Sequence, residues 1–304
     1  MSELKNNKLQ FTLDCLKQGQ PIAIPTETVY GLGASISNPL AIRQIFAIKG
    51  RPNTHPLIIH VSSLDMAEKY AHFTPLAREI TEQFWPGPLT IILPKKNSVP
   101  FEVTGGLNTV GLRSPNHPLT RKLIQAHGHP IAAPSANQFG KISPTKAAHV
   151  VDDYQGKIPV LDGGDCQIGL ESTILDLSQE TPSIRRLGAI TKEDLSSFIS
   201  EFGETDTIAP GTLKAHYAPT TALFLSEEVA MDQKRFEEKG LRTATLSIKN
   251  LELYARELYA ELRHLDQLGV DVLIAEKPPQ TGIGLAIIDR LTKASFGSQN
   301  KSGL

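Results

Sequence analysis

The chain has 304 residues, 31 Lys and Arg against 32 Asp and Glu, and an apolar share of 40%. That balance excludes a general nucleic-acid binder, which carries a basic excess, and a disordered chain, which is too polar to bury a core. No apolar run is long enough to cross a bilayer and MSELKNNKLQ lacks the apolar stretch of a secretion signal, so a cytoplasmic protein with no membrane contact is expected.

At roughly 150 residues per domain, the length predicts about two domains. Two cysteines, Cys15 and Cys166, have no C-x-x-C partner and read as reduced thiols, with no metal site in view. In chain order, Pro21 to Pro25 reads as a short strand. Asn38-Pro39 caps a helix with its stripe at Ile42, Ile45 and Phe46 and its stop at Gly50. Leu57 to Val61 is a buried strand, Thr74-Pro75 opens a helix that ends before Trp85, and Leu89 to Leu93 is the next strand. Thr191 with Asp194 forms a capping box ahead of Leu195, Phe198, Ile199 and Phe202, predicting a helix to Gly203 that closes a first domain of residues 1–203. Residues 204–220 show neither period and read as a linker. From 221 to 304 the pattern restarts as β-α-β-α-β-α, an open parallel sheet of Rossmann-like type. Its Gly282-x-Gly284 lacks the third glycine and the later acidic residue of a dinucleotide fingerprint, so it reads as a tight turn.

Five segments of the first domain are richer in Gly, Pro, Ser, Thr and basic residues than folding alone asks. In Pro25 to Gly33 the hydroxyls of Thr26 and Thr28 can bind a polar ligand, and two glycines let backbone approach it. Lys49-Gly50-Arg51 offers a point charge and a bidentate fork to a polyphosphate, although cations at a helix C-terminus also gain from its dipole. His60, between buried aliphatics, reads by itself as a satisfied core residue. Arg113 ends a strand, where α/β domains bind ligands. Ala132 to Asn137 continues to Ser143-Pro144-Thr145, which reads as an anion nest at a helix start. The fifth runs from Asp162-Gly163-Gly164 through Gly169 to Ile174 and on to Arg185-Arg186-Leu187-Gly188. Each alone could be a turn; together they predict an anion pocket. With no Walker A motif, catalytic triad or metal cluster, its chemistry is positioning and charge neutralisation.

These segments, PTETVYGLG at 25–33, KGRP at 49–52, WPGPLT at 85–90, GLRSP at 111–115, AAPSAN at 132–137, ESTI at 171–174 and RRLGAI at 185–190, resemble the YrdC-like family of threonylcarbamoyl-AMP synthases. PGTLKAHYAP at 210–219 and GIGLAIIDRLTKAS at 282–295 resemble its long form with an additional C-terminal domain. The resemblance implies an α/β fold, a twisted open sheet with a concave basic face, plus a small Rossmann-like α/β C-terminal domain. It implies that L-threonine, bicarbonate and ATP are joined, with pyrophosphate leaving, and that the product passes to a tRNA-modifying threonylcarbamoyl transferase complex, so that tRNA is met only indirectly. Mg2+ would arrive with ATP. By motif position, Lys49 and Arg51 would be catalytic and hold ATP with His55, Thr109, Ser135, Ser143 and Arg186. Thr28, His60, Arg113, Ala133 and Ser172 would hold threonine. His55 stands where the family usually has Asn. His216 and Tyr217, with Lys214, would make the linker a lid over the labile product. A double-stranded RNA-binding module and a carbamoyl transferase working through a carbamoyl adenylate are the alternatives; near-neutral charge and a short chain count against them.

Overall fold

The computed structural model of the protein describes residues 3–203 and 214–302. The first domain runs α1 (Glu3–Lys17), β1 (Ile22–Ile24), β2 (Gly31–Ser35), α2 (Pro39–Lys49), β3 (Ile58–His60), α3 (Leu64–Ala67), α4 (Pro75–Phe84), β4 (Leu89–Pro94), α5 (Phe101–Thr104), β5 (Thr109–Arg113), α6 (Pro118–His127), β6 (Ile131–Ala132), α7 (Ala147–Tyr154), β7 (Thr173–Asp176), β8 (Ser183–Arg186) and α8 (Lys192–Leu195). The second runs β9 (Ala222–Ser226), α9 (Val229–Glu237), β10 (Thr243–Leu246), α10 (Leu251–Asp266), β11 (Val272–Glu276) and α11 (Ile283–Ser302).

Local chemistry explains the helix ends near the site. The Asn38 side chain accepts from the Ala41 amide, Pro39 occupies the first turn of α2, and Gly50 ends it at φ +63°. Ala41, Ile42, Ile45 and Phe46 are the buried stripe. The capping box of Thr191 and Asp194 is present, but α8 stops at Leu195 and does not reach Phe202. There the Ser196 hydroxyl donates to the Glu193 carbonyl, a local bond that competes with the helical ladder. α1 carries only a weak apolar stripe, Leu9, Leu13 and Leu16, and forms because that stripe packs with Leu119 and Leu123 of α6 and Ile22 and Ile24 of β1.

The first domain's eight strands form one sheet in the order β1-β2-β6-β3-β5-β4-β7-β8. It is mixed: β3 with β5 and β4 with β7 are parallel, and the other pairs are antiparallel. Gly31 and Gly33 lie on β2, where an added Cβ would come within 3.1 Å of Ala133 and 2.7 Å of Ile131. Their missing side chains therefore serve the packing of β2 on its neighbour at least as much as ligand approach. The main core buries Ile42, Ile45, Ile59, Ile91 and Leu112, each aliphatic contributing about 1.5–3 kcal/mol by leaving water.

In the second domain β9, β10 and β11 are all parallel in the order β10-β11-β9, so the third strand is central and β9 and β10 do not pair. Gly282 has φ +51°, and a Cβ on Gly284 would stand 1.9 Å from the Pro279 carbonyl oxygen. Turn geometry and close packing account for both glycines. Of the linker, residues 204–213 lie outside the described residues. From 214 to 220 the chain is less free than its sequence implies: His216, Tyr217, Ala218 and Pro219 are buried, and the Ala218 amide bonds the Gly140 carbonyl. Val29, Ile142 and Leu170 of the first domain share one apolar cluster with Tyr217, Leu258, Tyr259 and Leu291.

Candidate functional site

The strand ends of the first domain border a cleft that opens to solvent. Thr28, His60, Arg113, Ala133 and Ser172 all line it, as do Arg51, Ser135 and Arg186, and so do His216 and Tyr217 of the linker. Ten of the residues singled out in the sequence thus meet in one place, from five segments of the first domain and the linker.

One end is organised by Arg113. The parallel register of β3 and β5 sets His60 opposite Arg113. The guanidinium donates to the Thr28 hydroxyl at 2.8 Å and to the Gly87 carbonyl at 3.2 Å, and lies 2.8 Å from the Glu27 carboxylate in a buried ion pair. Thr26 and Thr28 share a hydroxyl contact of 2.8 Å, so a ladder of hydroxyls leads from β1 to the arginine. Burial, then the neighbouring Arg113 charge, pushes His60 down to about 3, so it is a neutral imidazole at neutral pH, and its Nδ1 has no hydrogen bond. A fixed guanidinium, a neutral ring and a hydroxyl suit a small amino-acid-sized ligand with a carboxylate.

The other end carries Arg51 and Arg186. Arg51 donates to the Pro56 carbonyl at 3.1 Å and lies 6.0 Å from the Phe139 ring centroid, and its Nε has no hydrogen bond. Burial, with Arg186 nearby, lowers it to about 10, so it remains a cation. Strand alternation on β8 separates the two consecutive arginines: Arg185 turns to Asp176 at 2.7 Å, and Arg186 turns to the Ser172 carbonyl and hydroxyl, both at 3.0 Å. The Ser172 hydroxyl also contacts Thr90 at 2.7 Å. Three guanidiniums around one cleft can bind a polyphosphate and a carboxylate together and neutralise charge that moves between them.

Four of the predicted residues stand elsewhere. Lys49 is buried behind the cleft wall, its ammonium donating to the Ser135 carbonyl at 2.6 Å and to that of Asn137; burial, then Arg51, holds it well below the usual lysine range. Its periodicity on α2 put it on the buried face, which the motif alone does not reveal. Ser143 does not start a helix, since α7 begins at Ala147, and its hydroxyl donates to Glu171 at 2.6 Å. His55 packs against Phe139 at 5.9 Å between ring centroids, outside the lining. Thr109 lines an adjoining pocket that shares Pro56, Leu57 and Ile58 with the cleft.

Sequence reasoning missed Glu27 and Glu171. Glu171 lines the cleft and accepts from Ser143, from the Tyr259 hydroxyl at 2.8 Å and from Arg290 at 2.9 Å. Burial alone would raise its pKa, but Arg290 and Arg186 outweigh it and hold the carboxyl down to about 2. Arg290 could have been found: it lies on the apolar stripe of α11 with Ile287, Leu291 and Ala294, where an unpaired charge would be prohibitive. Among the described residues no group of three His, Cys, Asp or Glu side chains could hold a metal ion, and no helix is long and apolar enough to cross a membrane.

A family model described as "Telomere recombination", of the Sua5-YciO-YrdC type, matches residues 14–188. A second, described as the C-terminal domain of threonylcarbamoyl-AMP synthase, matches residues 190–295. The chain is 40% identical to the threonylcarbamoyl-AMP synthase of Pyrococcus abyssi over 95% of its own length and 94% of that protein. With the Bacillus subtilis threonylcarbamoyl-AMP synthase the identity is 40%, over 93% of this chain and 91% of that one. Among solved structures, the Pyrococcus abyssi Sua5 complexed with L-threonine superposes with a TM-score of 0.90 at 39% identity, covering 95% of this chain and 94% of that one.

Proposed function

This chain belongs to the threonylcarbamoyl-AMP synthase family, in the form with a C-terminal domain, and we propose that it makes threonylcarbamoyl-AMP and pyrophosphate from L-threonine, bicarbonate and ATP. The observation that carries this reading is the convergence of Arg51, Arg113 and Arg186 on one cleft, beside a neutral His60 and the hydroxyls of Thr28 and Ser172.

Arg113 takes the threonine carboxylate with its bidentate fork, and Thr28, His60 and Ser172 hold the amino and hydroxyl groups. The threonine amine, as its free base, adds to the carbon of carbon dioxide drawn from bicarbonate and loses a proton, giving a carbamate. A carbamate oxygen attacks the α-phosphorus of ATP, and the bond to the bridging oxygen breaks to release pyrophosphate. Arg51 and Arg186 neutralise the charge gathering on the leaving group. Lys49 acts one layer back, by holding the 135–137 turn in place, with Ala133 and Ser135 facing the join between the substrates. Thr109 reaches ATP from the adjoining cavity, and His55 and Ser143 support the nucleotide side. Magnesium enters as the counter-ion of ATP. Glu171, the one carboxylate among the described residues of the lining, is engaged by three donors, so the phosphates of ATP would carry the ion. The product then passes in the cytoplasm to a tRNA-modifying threonylcarbamoyl transferase complex, which alone meets tRNA.

The test is pyrophosphate release by the purified chain, with threonine, bicarbonate and ATP each withheld in turn, and mass spectrometry of the nucleotide formed. Release that needs all three, with a threonylcarbamoyl adduct of AMP, supports the reading. Release independent of threonine points to a different adenylate and overturns it.

A further inference from the structure

We infer that Arg290 is the positioning residue through which the C-terminal domain sets the geometry of the cleft: one guanidinium, outside the cleft lining, ties together a cleft carboxylate, the backbone next to a cleft arginine and the linker aromatic that lines the cleft. The inference rests on the function proposed above and deepens it.

Arg290 is fully buried on α11. Its Nε donates to Glu171 at 2.9 Å and its Nη2 to the Leu187 carbonyl at 2.7 Å. Glu171 immediately precedes Ser172, and Leu187 immediately follows Arg186, so one side chain pins the two segments whose ends face the cleft. Its third contact, Asp289, is on its own helix. The guanidinium carbon stands 5.3 Å from the Tyr217 ring centroid, and Tyr259 of α10 stacks on Tyr217 at 5.6 Å and 25°. Tyr217 needs such restraint: its φ of +61° is a left-handed conformation that is strained for a bulky residue and persists only when its surroundings enforce it. Through Tyr217 the restraint reaches His216, whose ring packs on Tyr217 at 4.1 Å and faces Phe139 at 6.2 Å, the ring beside Arg51. An arginine that only filled space would not need an ion pair, a backbone bond and an aromatic contact to three separate segments.

The groups facing Glu171 are Arg290 from α11, Tyr259 from α10, Arg186 from β8, Ser143 ahead of α7, and His216 and Tyr217 of the linker. Burial keeps both phenols protonated and His216 neutral, so Arg290 and Arg186 are the two cations that keep Glu171 ionised. Removing Arg290 leaves a buried carboxylate with one cation in place of two, and it then takes up a proton at higher pH. A protonated Glu171 turns an O–H towards groups that donate to it, and the Ser172 and linker walls lose their register.

The experiment uses the full chain with Arg290→Gln and Arg290→Lys, and measures kcat and the KM values from mildly acidic to mildly alkaline pH. Arg290→Gln is expected to lose roughly tenfold in kcat at neutral pH, the scale of coupling through a packed network. Its acid limb should move up by about one to three pH units, with activity recovering at alkaline pH. Arg290→Lys keeps the charge but not the fork; it should keep the parental acid limb and lose a few-fold in kcat at every pH, about the cost of one lost hydrogen bond. Parental kcat and acid limb in Arg290→Gln overturn the proposal, as does a pH-independent loss matched by a smaller folded fraction. Should Arg290→Gln not fold, Arg290→Lys decides alone: parental turnover there overturns it. If the unaltered chain makes no threonylcarbamoyl-AMP, the proposed function fails, and ATP affinity by calorimetry then carries the test. About tenfold weaker binding in Arg290→Gln upholds the positioning role, and unchanged binding rejects it.

Discussion

At the scale of single residues, Lys49 and Arg51 look alike in the sequence and differ in the fold. Arg51 faces the cleft with an unbonded Nε, whereas the ammonium of Lys49 is spent on two backbone carbonyls. Arg51→Ala is therefore expected to leave the thermal transition almost unmoved and to cut turnover by about a hundred- to a thousandfold, the usual effect of deleting a preorganised donor. Lys49→Ala strands the Ser135 and Asn137 carbonyls and should lower the unfolding free energy by about 1–3 kcal/mol as well as slowing turnover. Denaturant unfolding of the two variants, side by side, separates them. The buried histidines set an acid limit. His60 and His216 both fall from 6.5 to about 3 on folding, burial being the main cause. The unfolded chain binds protons at these sites that the folded chain refuses. Their contribution is complete above pH 6.5 and is lost as pH falls from 6.5 towards 3, by at most about 1.4 kcal/mol per pH unit for each. Glu171 adds a loss only below its ordinary value of 4.5, so the interval from 6.5 to 4.5 isolates the histidines. Stability measured across that interval should fall in the parent chain and fall less steeply in His60→Gln; equal slopes would show that His60 is charged in the folded state.

At the scale of elements, the segment 171–188 carries the wall of the cleft, and Gly188 is its pivot. A Cβ there would stand 2.4 Å from the Thr173 amide nitrogen and 2.6 Å from the Glu171 carbonyl oxygen, both backbone atoms that cannot swing aside. Gly188→Ala must push β8 away from the start of β7, and with it Arg186 from Ser172. A loss of about 1–3 kcal/mol in stability and weaker threonine binding are expected together, the first as for an overpacked core. Gly50→Ala is the control: its φ of +63° is strained for alanine, but nothing lies within 4 Å of the new Cβ. Calorimetric threonine affinity unchanged in Gly188→Ala would separate the wall from the ligand.

At the scale of the whole molecule, the second domain is joined to the first by more than a tether. Arg263 forms a two-point ion pair with Asp153 at 2.7 Å, and Val29, Ile142 and Leu170 of the first domain lie in the second domain's apolar cluster. Cutting the chain after residue 203 exposes those three side chains, leaves Glu171 without Arg290 and Tyr259, and removes His216 and Tyr217 from the cleft. A first domain cut there is expected to fold with reduced stability and to release or hydrolyse its adenylate faster than the full chain, because water reaches the mixed anhydride. Product decay followed by chromatography with each form bound decides it; equal lifetimes would leave the linker as a tether.

Much of this was legible in the sequence because it is local. Caps, glycine stops and strand alternation act within a few residues of the chain, so Asn38, Thr74, Gly50 and the Thr191 box read directly, and so did the hydroxyl- and arginine-rich segments that line the cleft. The weak α1, the early end of α8 and the mixed order of the sheet were not legible, since packing against distant partners or a competing side-chain bond decided each. The same holds within the site. Motif position named Arg51, Arg113 and Arg186, but only the tertiary structure turned Lys49 behind the wall, gave Ser143 to Glu171, and brought Arg290 across 119 residues of chain to the carboxylate it stabilises. A charge's role depends on the dielectric and the partners around it, and these are set by contacts far apart in the chain.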